Sequence, residues 1–140
     1  MTPVVNILLV EDHVGDVTLT RRALVRIPLT IALHVAVDGI EAQEFLLQQG
    51  PHKNAPRPSL ILLDLNMPRM DGREVLRWLE TTPLRSIPVI ILTTSSAKQD
   101  IKDAYGLHAN AYIVKPVAFE DFVLAMRAIE QFWLHLAQLP

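Results

Sequence analysis

The 140-residue sequence contains no cysteine, only five glycines and few aromatic residues. Without cysteine the chain has neither a disulfide framework nor a thiolate metal site. Its net charge of −2 gives no basic excess, so we expect no nucleic-acid partner. No apolar run approaches the ~18 residues that span a bilayer, and the first residues lack the basic region of a signal peptide. We therefore expect a cytoplasmic protein without a membrane partner.

Short apolar segments are what the sequence has in abundance. Half of the residues are hydrophobic and 20% are charged, which supplies enough apolar side chains for the core of one domain. The segments are rich in leucine and β-branched residues and are bounded by polar residues or proline, which is typical of strands buried on both faces. The predicted strands cover residues 7–10, 31–37, 60–63, 89–92 and 112–114.

Each predicted strand is followed by a stretch with apolar residues at helical spacing. Five strand–helix units predict an α/β fold with a doubly wound five-stranded parallel sheet, in the flavodoxin-like order 2-1-3-4-5 with helices on both faces. The segment 50–59, which contains three prolines, is predicted to be a surface loop. The predicted helices cover residues 16–27, 39–49, 73–79, 97–105 and 119–137.

Polar side chains stand directly after four of the predicted strands. Glu11 and Asp12 follow the first, Asp64 the third, Thr93 the fourth and Lys115 the fifth. Ligands of doubly wound sheets bind at the carboxyl ends of the strands, so we expect these side chains to meet at one edge. Any one of them alone is as well explained by a helix cap, a turn or a solvated surface, and only their combination favours a functional site.

The chemical types in this set fit together. Three crowded carboxylates repel one another unless a cation compensates them, and ligands that are all oxygen indicate Mg2+. A carboxylate nucleophile, Mg2+, an ammonium group and a hydroxyl are the parts needed for phosphoryl transfer to an aspartate.

The stretches that carry these residues resemble the response regulator receiver family. They are ILLVED at 7–12, ILLDLNMPRMDG at 61–72, PVIILTT at 88–94 and AYIVKP at 111–116. The resemblance implies a two-component signalling switch rather than an enzyme, with one receiver domain over residues 1–140 and no output domain. It also implies a sensor histidine kinase as the phosphoryl donor.

A narrower resemblance concerns the kind of kinase. The segments VEDHVGDVTLTRRAL, DAYGLHANAYIVKP and AIEQFWLHLAQLP are similar to the single-domain regulators that are paired with bacterial phytochromes. A phytochrome-type photoreceptor kinase is therefore the expected partner.

The family resemblance assigns a role to each site residue. Asp64 looks like the phosphoacceptor and Lys115 like the lysine that contacts a phosphoryl oxygen. Glu11 and Asp12 look like the acidic pair that holds Mg2+, and Asn66 looks like the residue that gives the metal a backbone carbonyl.

Further roles concern the conformational switch. Thr93 looks like the switch hydroxyl, and Tyr112 like the aromatic residue that moves inward when Thr93 moves. Ser95 occupies a position that tunes dephosphorylation in the family. Pro116 suggests a cis peptide bond after Lys115.

The C-terminal stretch is more apolar than a surface helix end usually is. One stripe at spacings of three to four residues predicts packing on the sheet, while further apolar residues in the last turns suggest an interface. We predict a homodimer through the fourth helix, the fifth strand and the fifth helix. The stripe consists of Phe122, Met126, Ile129, Trp133 and Leu136, and Phe119, Phe132 and Leu139 broaden it. In the last turns, the apolar residues that nearly surround the helix axis are Phe132, Trp133, Leu134, Leu136 and Leu139.

Alternatives remain open from the sequence alone. A haloacid-dehalogenase-type phosphatase also places an Asp nucleophile after a strand beside Mg2+, but it requires a second Asp where this chain has Asn66. An interaction module of receiver fold would take no phosphate, and the complete set of site residues argues against it. His13 is either an ordinary solvated side chain or a contact to water around the metal or to the kinase.

Overall fold

The computed structural model describes residues 4–140, apart from the side chain of Leu136. Its strands are β1 (Val5–Val10), β2 (Ile31–Ala36), β3 (Leu60–Leu63), β4 (Val89–Thr93) and β5 (Ala111–Val114). They form one parallel sheet in the order β2-β1-β3-β4-β5. The predicted sheet and strand order are therefore confirmed.

A helix follows each strand. The α-helices are α1 (Val14–Val25), α2 (Gly39–Leu46), α3 (Gly72–Glu80), α4 (Lys98–Gly106) and α5 (Phe119–Ile129). The predicted loop 50–59 contains a single 3-10 turn, Gly50–His52, and a second 3-10 turn, Pro83–Ser86, precedes β4. None of the helices in the described part of the chain is long and apolar enough to cross a membrane.

The helices cover both faces of the sheet because side chains of a strand alternate between its two faces. In β1, Leu8 and Val10 pack in a core with buried residues of α2 and α3, while Ile7 and Leu9 pack in a second core with residues of α1 and α5. All residues of β3 and β4 are buried. Each large aliphatic side chain buried in this way contributes about 1.5–3 kcal/mol relative to an exposed one.

All five helices differ by one or more residues from their predicted bounds, and the first and the last have an identifiable cause. The first begins at Val14 because the side chain of His13 accepts a hydrogen bond from the backbone N–H of Asp16 and caps the helix. The last changes from α-helix to π-helix after Ile129, over Glu130–Leu136. Sequence periodicity does not separate these two helical forms, so the change was not predicted.

The apolar C-terminal stripe packs mainly inward. Phe122, Met126 and Ile129 are buried, and Trp133 packs against the same core. Phe132, in contrast, is 53% exposed. The predicted position of Leu136 on this stripe lies outside the described side chains.

Candidate functional site

The backbone of the site continues the hydrogen bonding of the sheet. Glu11, Asp64 and Lys115 each follow a strand directly and donate their backbone N–H to a carbonyl of a neighbouring strand, over 2.9, 3.0 and 2.7 Å respectively. Parallel pairing brings these three strand ends to the same edge of the sheet. The backbone positions of these three residues are therefore fixed by the sheet.

Glu11, Asp12 and Asp64 form an acidic cluster at this edge. Each offers one carboxylate oxygen, and these oxygens lie within 4.8 Å of one another. Glu11 and Asp64 are buried, while Asp12 is exposed. Carboxylates this close repel one another, and a hard divalent cation with several water ligands fits such a set. The residues present therefore fit the predicted metal centre.

The ammonium group of Lys115 lies close to three carboxylates, those of Glu11, Asp16 and Asp64. This group donates hydrogen bonds to Glu11 Oε2 and, over 2.9 Å, to Asp16 Oδ2. Asp64 Oδ2 is 3.7 Å from Lys115 Nζ, close enough for attraction but beyond a good hydrogen bond. The lysine side chain is only 6% exposed, so its interactions with these carboxylates are weakly screened by water.

Burial changes the protonation of Glu11 and Lys115. Burial raises the pKa of the Glu11 carboxyl group to about 7, and the negative charge of Asp64 adds to this effect, while the bond from Lys115 opposes it. Burial alone would lower the pKa of the Lys115 ammonium group, but hydrogen bonds to Glu11 and Asp16 outweigh it and raise that pKa. Lys115 therefore remains charged, while Glu11 titrates near neutrality.

Thr93 and Tyr112 lie on the neighbouring strands β4 and β5. The hydroxyl oxygen of Thr93 is buried and has no hydrogen-bond partner among residues 4–140. The Tyr112 hydroxyl donates over 2.8 Å to the backbone carbonyl of Ser95, and burial raises the pKa of Tyr112. The Ser95 hydroxyl in turn donates to Asp100, which is paired with Arg73 of α3. The loop after β4 is thus tied to both β5 and α3.

The loop between β3 and α3, which carries Asn66, is tied to the start of α2. Arg69 donates to the Asp38 carboxylate over 2.6 Å, and this bond holds the pKa of Asp38 below its usual range. Asp38 also caps α2, and the N–H of Gly39 donates to the carbonyl of Met70 over 2.9 Å. This loop is therefore positioned by polar contacts at the same edge of the sheet as the acidic cluster.

Comparison with known sequences identifies the family. The family model described as the response regulator receiver domain matches residues 7–127. The chain belongs to the response regulator receiver family. This receiver is therefore a two-component signalling protein, and the dehalogenase-type alternative is set aside.

Individual relatives of this receiver cover nearly its whole length. Response regulator Rcp1 of Synechocystis sp. is 44% identical over 135 residues, which is 96% of this chain and 92% of Rcp1. The crystal structure of the Mn2+-bound form of Rcp1 matches with a TM-score of 0.88 over 96% of this chain and 98% of that one.

Two other solved structures are similar. The phosphorylated cyanobacterial phytochrome response regulator RcpA is 42% identical, with a TM-score of 0.93 over 99% of both chains. Response regulator RPA3017, from red light signalling of R. palustris, is 36% identical, with a TM-score of 0.90 over 97% of this chain and 98% of that one.

The receiver brings together most of the side chains predicted from sequence. Asp64 lies beside the acidic pair and Lys115, as expected from the strand ends. Asn66 is exposed, and its N–H lies 3.5 Å from Asp64 Oδ1. Its predicted contribution of a carbonyl to the metal stays a prediction.

Two features of the receiver differ from the sequence expectations. No peptide bond in residues 4–140 is cis, so the expected cis bond between Lys115 and Pro116 is wrong. The trans form is intrinsically preferred before proline, and Lys115 reaches its carboxylate partners from it. Asp16, which contacts Lys115, was not predicted as a site residue. The sequence indicated only that it lies at the start of the first helix.

Proposed function

We propose that Asp64 accepts a phosphoryl group from a sensor histidine kinase, with Mg2+ held by Glu11, Asp12, Asp64 and the backbone carbonyl of Asn66. The observation that supports this most directly is the acidic cluster, whose oxygens lie within 4.8 Å of one another beside a buried lysine. When bound, Mg2+ would offset the negative charge on the transferred oxygens.

Asp64 and Lys115 would have different roles in the phosphoryl transfer. A carboxylate oxygen of Asp64 attacks phosphorus in line, the new P–O bond forms, and the P–N bond to the kinase histidine breaks. The leaving histidine nitrogen keeps the electron pair of that bond. Lys115 donates to an oxygen of the phosphoryl group, because its ammonium group already lies 3.7 Å from Asp64 Oδ2.

The switch would follow from the new charge on Asp64. A phosphorylated side chain carries roughly −1.5 to −2 charge and needs hydrogen-bond donors. The Thr93 hydroxyl makes no hydrogen bond within the described part of the chain, so it is available as such a donor. Movement of Thr93 leaves space that Tyr112 fills on leaving the carbonyl of Ser95, which changes the surface of α4, β5 and α5.

Labelling with a small phosphodonor tests this function. The protein incubated with Mg2+ and acetyl phosphate should gain one phosphoryl group by intact mass spectrometry, and Asp64→Asn should gain none. Asp121→Asn, an exposed acid in the first turn of α5, is the matched control and should label like the wild type. Equal labelling of Asp64→Asn and the wild type would contradict the assignment.

The kinase partner is proposed to be of the phytochrome type. RcpA is a phytochrome response regulator, and 40% identity to the bacteriophytochrome response regulator RtBRR over 99% of this chain gives further support. Phosphotransfer from purified phytochrome-type kinases should be faster than from histidine kinases with other sensor domains. Equal or slower transfer from the phytochrome-type kinases would contradict this pairing.

A homodimer through α4, β5 and α5 is also proposed. Apolar side chains on these elements and on the π-helix are exposed in the single chain, which supports an interface. They are Tyr105, Val114, Leu124 and Phe132.

Other expectations from the sequence stay predictions. They concern one receiver domain over residues 1–140, a cytoplasmic location and the absence of nucleic-acid and membrane partners. They also concern the role of a switch that does not turn over an external substrate as an enzyme would. Ser95 as a position that tunes dephosphorylation, and His13 as a contact to metal-bound water or to the kinase, are likewise predictions.

A further inference from the structure

Asp16 is the acid at the site to which the proposed function gives no role. Its Oδ2 atom accepts a hydrogen bond from Lys115 Nζ over 2.9 Å. The side chain of Asp16 is 25% exposed and that of Lys115 only 6%, so this charge pair is largely shielded from water. The contact joins residues 99 positions apart in the sequence.

The first turn of α1 fixes the position of Asp16. Its backbone N–H donates to His13 Nδ1 over 3.3 Å, and its backbone carbonyl accepts from the hydroxyl of Thr20 over 2.8 Å. The carboxylate is therefore presented to Lys115 by a capped helix, and it does not belong to the acidic cluster of Glu11, Asp12 and Asp64.

The number of donors on Lys115 limits what the ammonium group can do. It has three N–H donors, of which one is directed to Glu11 and one to Asp16. The third remains for Asp64, whose Oδ2 lies 3.7 Å away, or for a phosphoryl oxygen attached to it. Glu11 is shared with the acidic cluster, so a cation there competes with Lys115 for its carboxylate. Asp16 is the partner that stays with the lysine.

We propose that Asp16 is a positioning residue for phosphoryl transfer, which holds the Lys115 ammonium group beside Asp64 when Glu11 turns to the metal ion. This inference rests on the proposed phosphorylation of Asp64. In the absence of the Asp16 charge, Lys115 is free to pair directly with the Asp64 carboxylate or to leave the site. Either outcome makes the lysine a poorer donor to the phosphoryl group.

The affinities for beryllofluoride and for Mn2+, measured separately, distinguish this positioning role from a metal-binding or structural role. Beryllofluoride, a mimic of the phosphoryl group, is titrated at saturating Mg2+, and Mn2+ alone is titrated by water proton relaxation. Asp16→Asn should weaken beryllofluoride binding about tenfold, which corresponds to one charge-assisted hydrogen bond, and should leave Mn2+ affinity within twofold. Asp16→Glu, which keeps a carboxylate, should recover most of the loss.

A double-mutant cycle tests whether Asp16 acts through Lys115. In a Lys115→Met background, Asp16→Asn should change beryllofluoride affinity less than twofold, because the group that it positions is absent. Asp121→Asn removes an acid from the first turn of another helix and should change neither affinity.

The outcomes separate this inference from the proposed function. Beryllofluoride binding by the wild type with no effect of Asp16→Asn would overturn the positioning role alone. Equal losses in the wild-type and Lys115→Met backgrounds, or parallel losses of Mn2+ and beryllofluoride affinity, would also overturn it. Failure of the wild type to bind beryllofluoride would overturn the proposed function and this role with it.

Discussion

Gly72 packs directly against the backbone of Asp64. A Cβ atom at position 72 would overlap the carbonyl oxygen of Asp64 and would lie 2.8 Å from Cα of Leu65. The N–H of Gly72 also donates to the carbonyl of Leu65 over 2.9 Å. The absence of a side chain at the start of α3 thus allows the helix to approach the end of β3 that carries Asp64.

Substitution of Gly72 by alanine should therefore disturb both stability and phosphorylation. We expect Gly72→Ala to lower the free energy of unfolding by about 1–3 kcal/mol, as overpacked sites do, and to slow labelling by acetyl phosphate. Urea unfolding and the labelling rate measure the two effects. Gly106→Ala is the control: a Cβ at this position, at the end of α4, meets no atom within 4 Å. It should be neutral or stabilising, and equal effects of the two substitutions would contradict the packing argument.

Thr93 offers a prediction about an unsatisfied hydroxyl group. Its oxygen is buried without a hydrogen-bond partner in the part of the chain that the structure describes, and such a group costs about 1–3 kcal/mol. Thr93→Val has nearly the same shape and should raise the free energy of unfolding of the unphosphorylated protein by about 1 kcal/mol. It should also abolish the response of Tyr112 to beryllofluoride in NMR spectra.

Thr20 is the matched control for Thr93. It is also a buried threonine, but its hydroxyl donates to the carbonyl of Asp16 over 2.8 Å. Thr20→Val should lower the free energy of unfolding by about 1 kcal/mol. Opposite signs for the two substitutions in urea unfolding are expected, and a stability loss in Thr93→Val as large as in Thr20→Val would refute the argument.

The pKa of Glu11 predicts how metal binding depends on pH. Burial raises this pKa from 4.5 to about 7, and only the ionised carboxylate binds a divalent cation well. Mn2+ affinity should therefore increase as the pH rises from 6 to about 8, and Glu11→Gln should flatten this increase. A wild-type Mn2+ affinity that is constant over this pH range would contradict the raised pKa of Glu11.

The raised pKa of Glu11 also predicts how the stability of the metal-free protein depends on pH. Because the folded-state pKa of Glu11 lies above 4.5, the folded state binds more protons than the unfolded state between these values. The contribution of Glu11 to stability is thus fully present below pH 4.5 and is lost as the pH rises through about 7. Comparison of wild type and Glu11→Gln by urea unfolding across this range isolates the contribution, and parallel pH profiles would argue against it.

The proposed dimer predicts the effect of a charge on α5. Leu124 is 64% exposed in the single chain. Leu124→Asp should weaken self-association about tenfold or more by sedimentation equilibrium, since a charge would be buried without a partner. Val25→Asp, on α1, changes a side chain that is 84% exposed and should have no effect. A wild type that stays monomeric at high concentration, with and without beryllofluoride, would exclude the dimer.

Much of the fold and the site could be predicted because both follow from short stretches of the sequence. The apolar strands are short and continuous, and Glu11, Asp64 and Lys115 each follow one directly, so strand order alone brings them together. The contact of Asp16 with Lys115 could not be predicted in this way. It depends on where the first turn of α1 lies relative to the end of β5, which is a tertiary relationship.

Other features depend on conformational choices that the sequence leaves open. Proline at position 116 permits either a cis or a trans bond, and the bond is trans. The last helix changes to a π-helix after Ile129, a rare form that the apolar pattern of the sequence did not indicate. The unsatisfied hydroxyl of Thr93 is likewise visible only after its neighbours are placed.

The position of the phosphoryl group is the most direct test of the account. The protein labelled with acetyl phosphate and Mg2+ is reduced with borohydride, which converts an aspartyl phosphate to homoserine, and its peptides are sequenced by mass spectrometry. We predict homoserine at position 64 and nowhere else, with none formed when EDTA removes the metal. Homoserine at another aspartate, or full labelling of Asp64 without a divalent cation, would contradict the account.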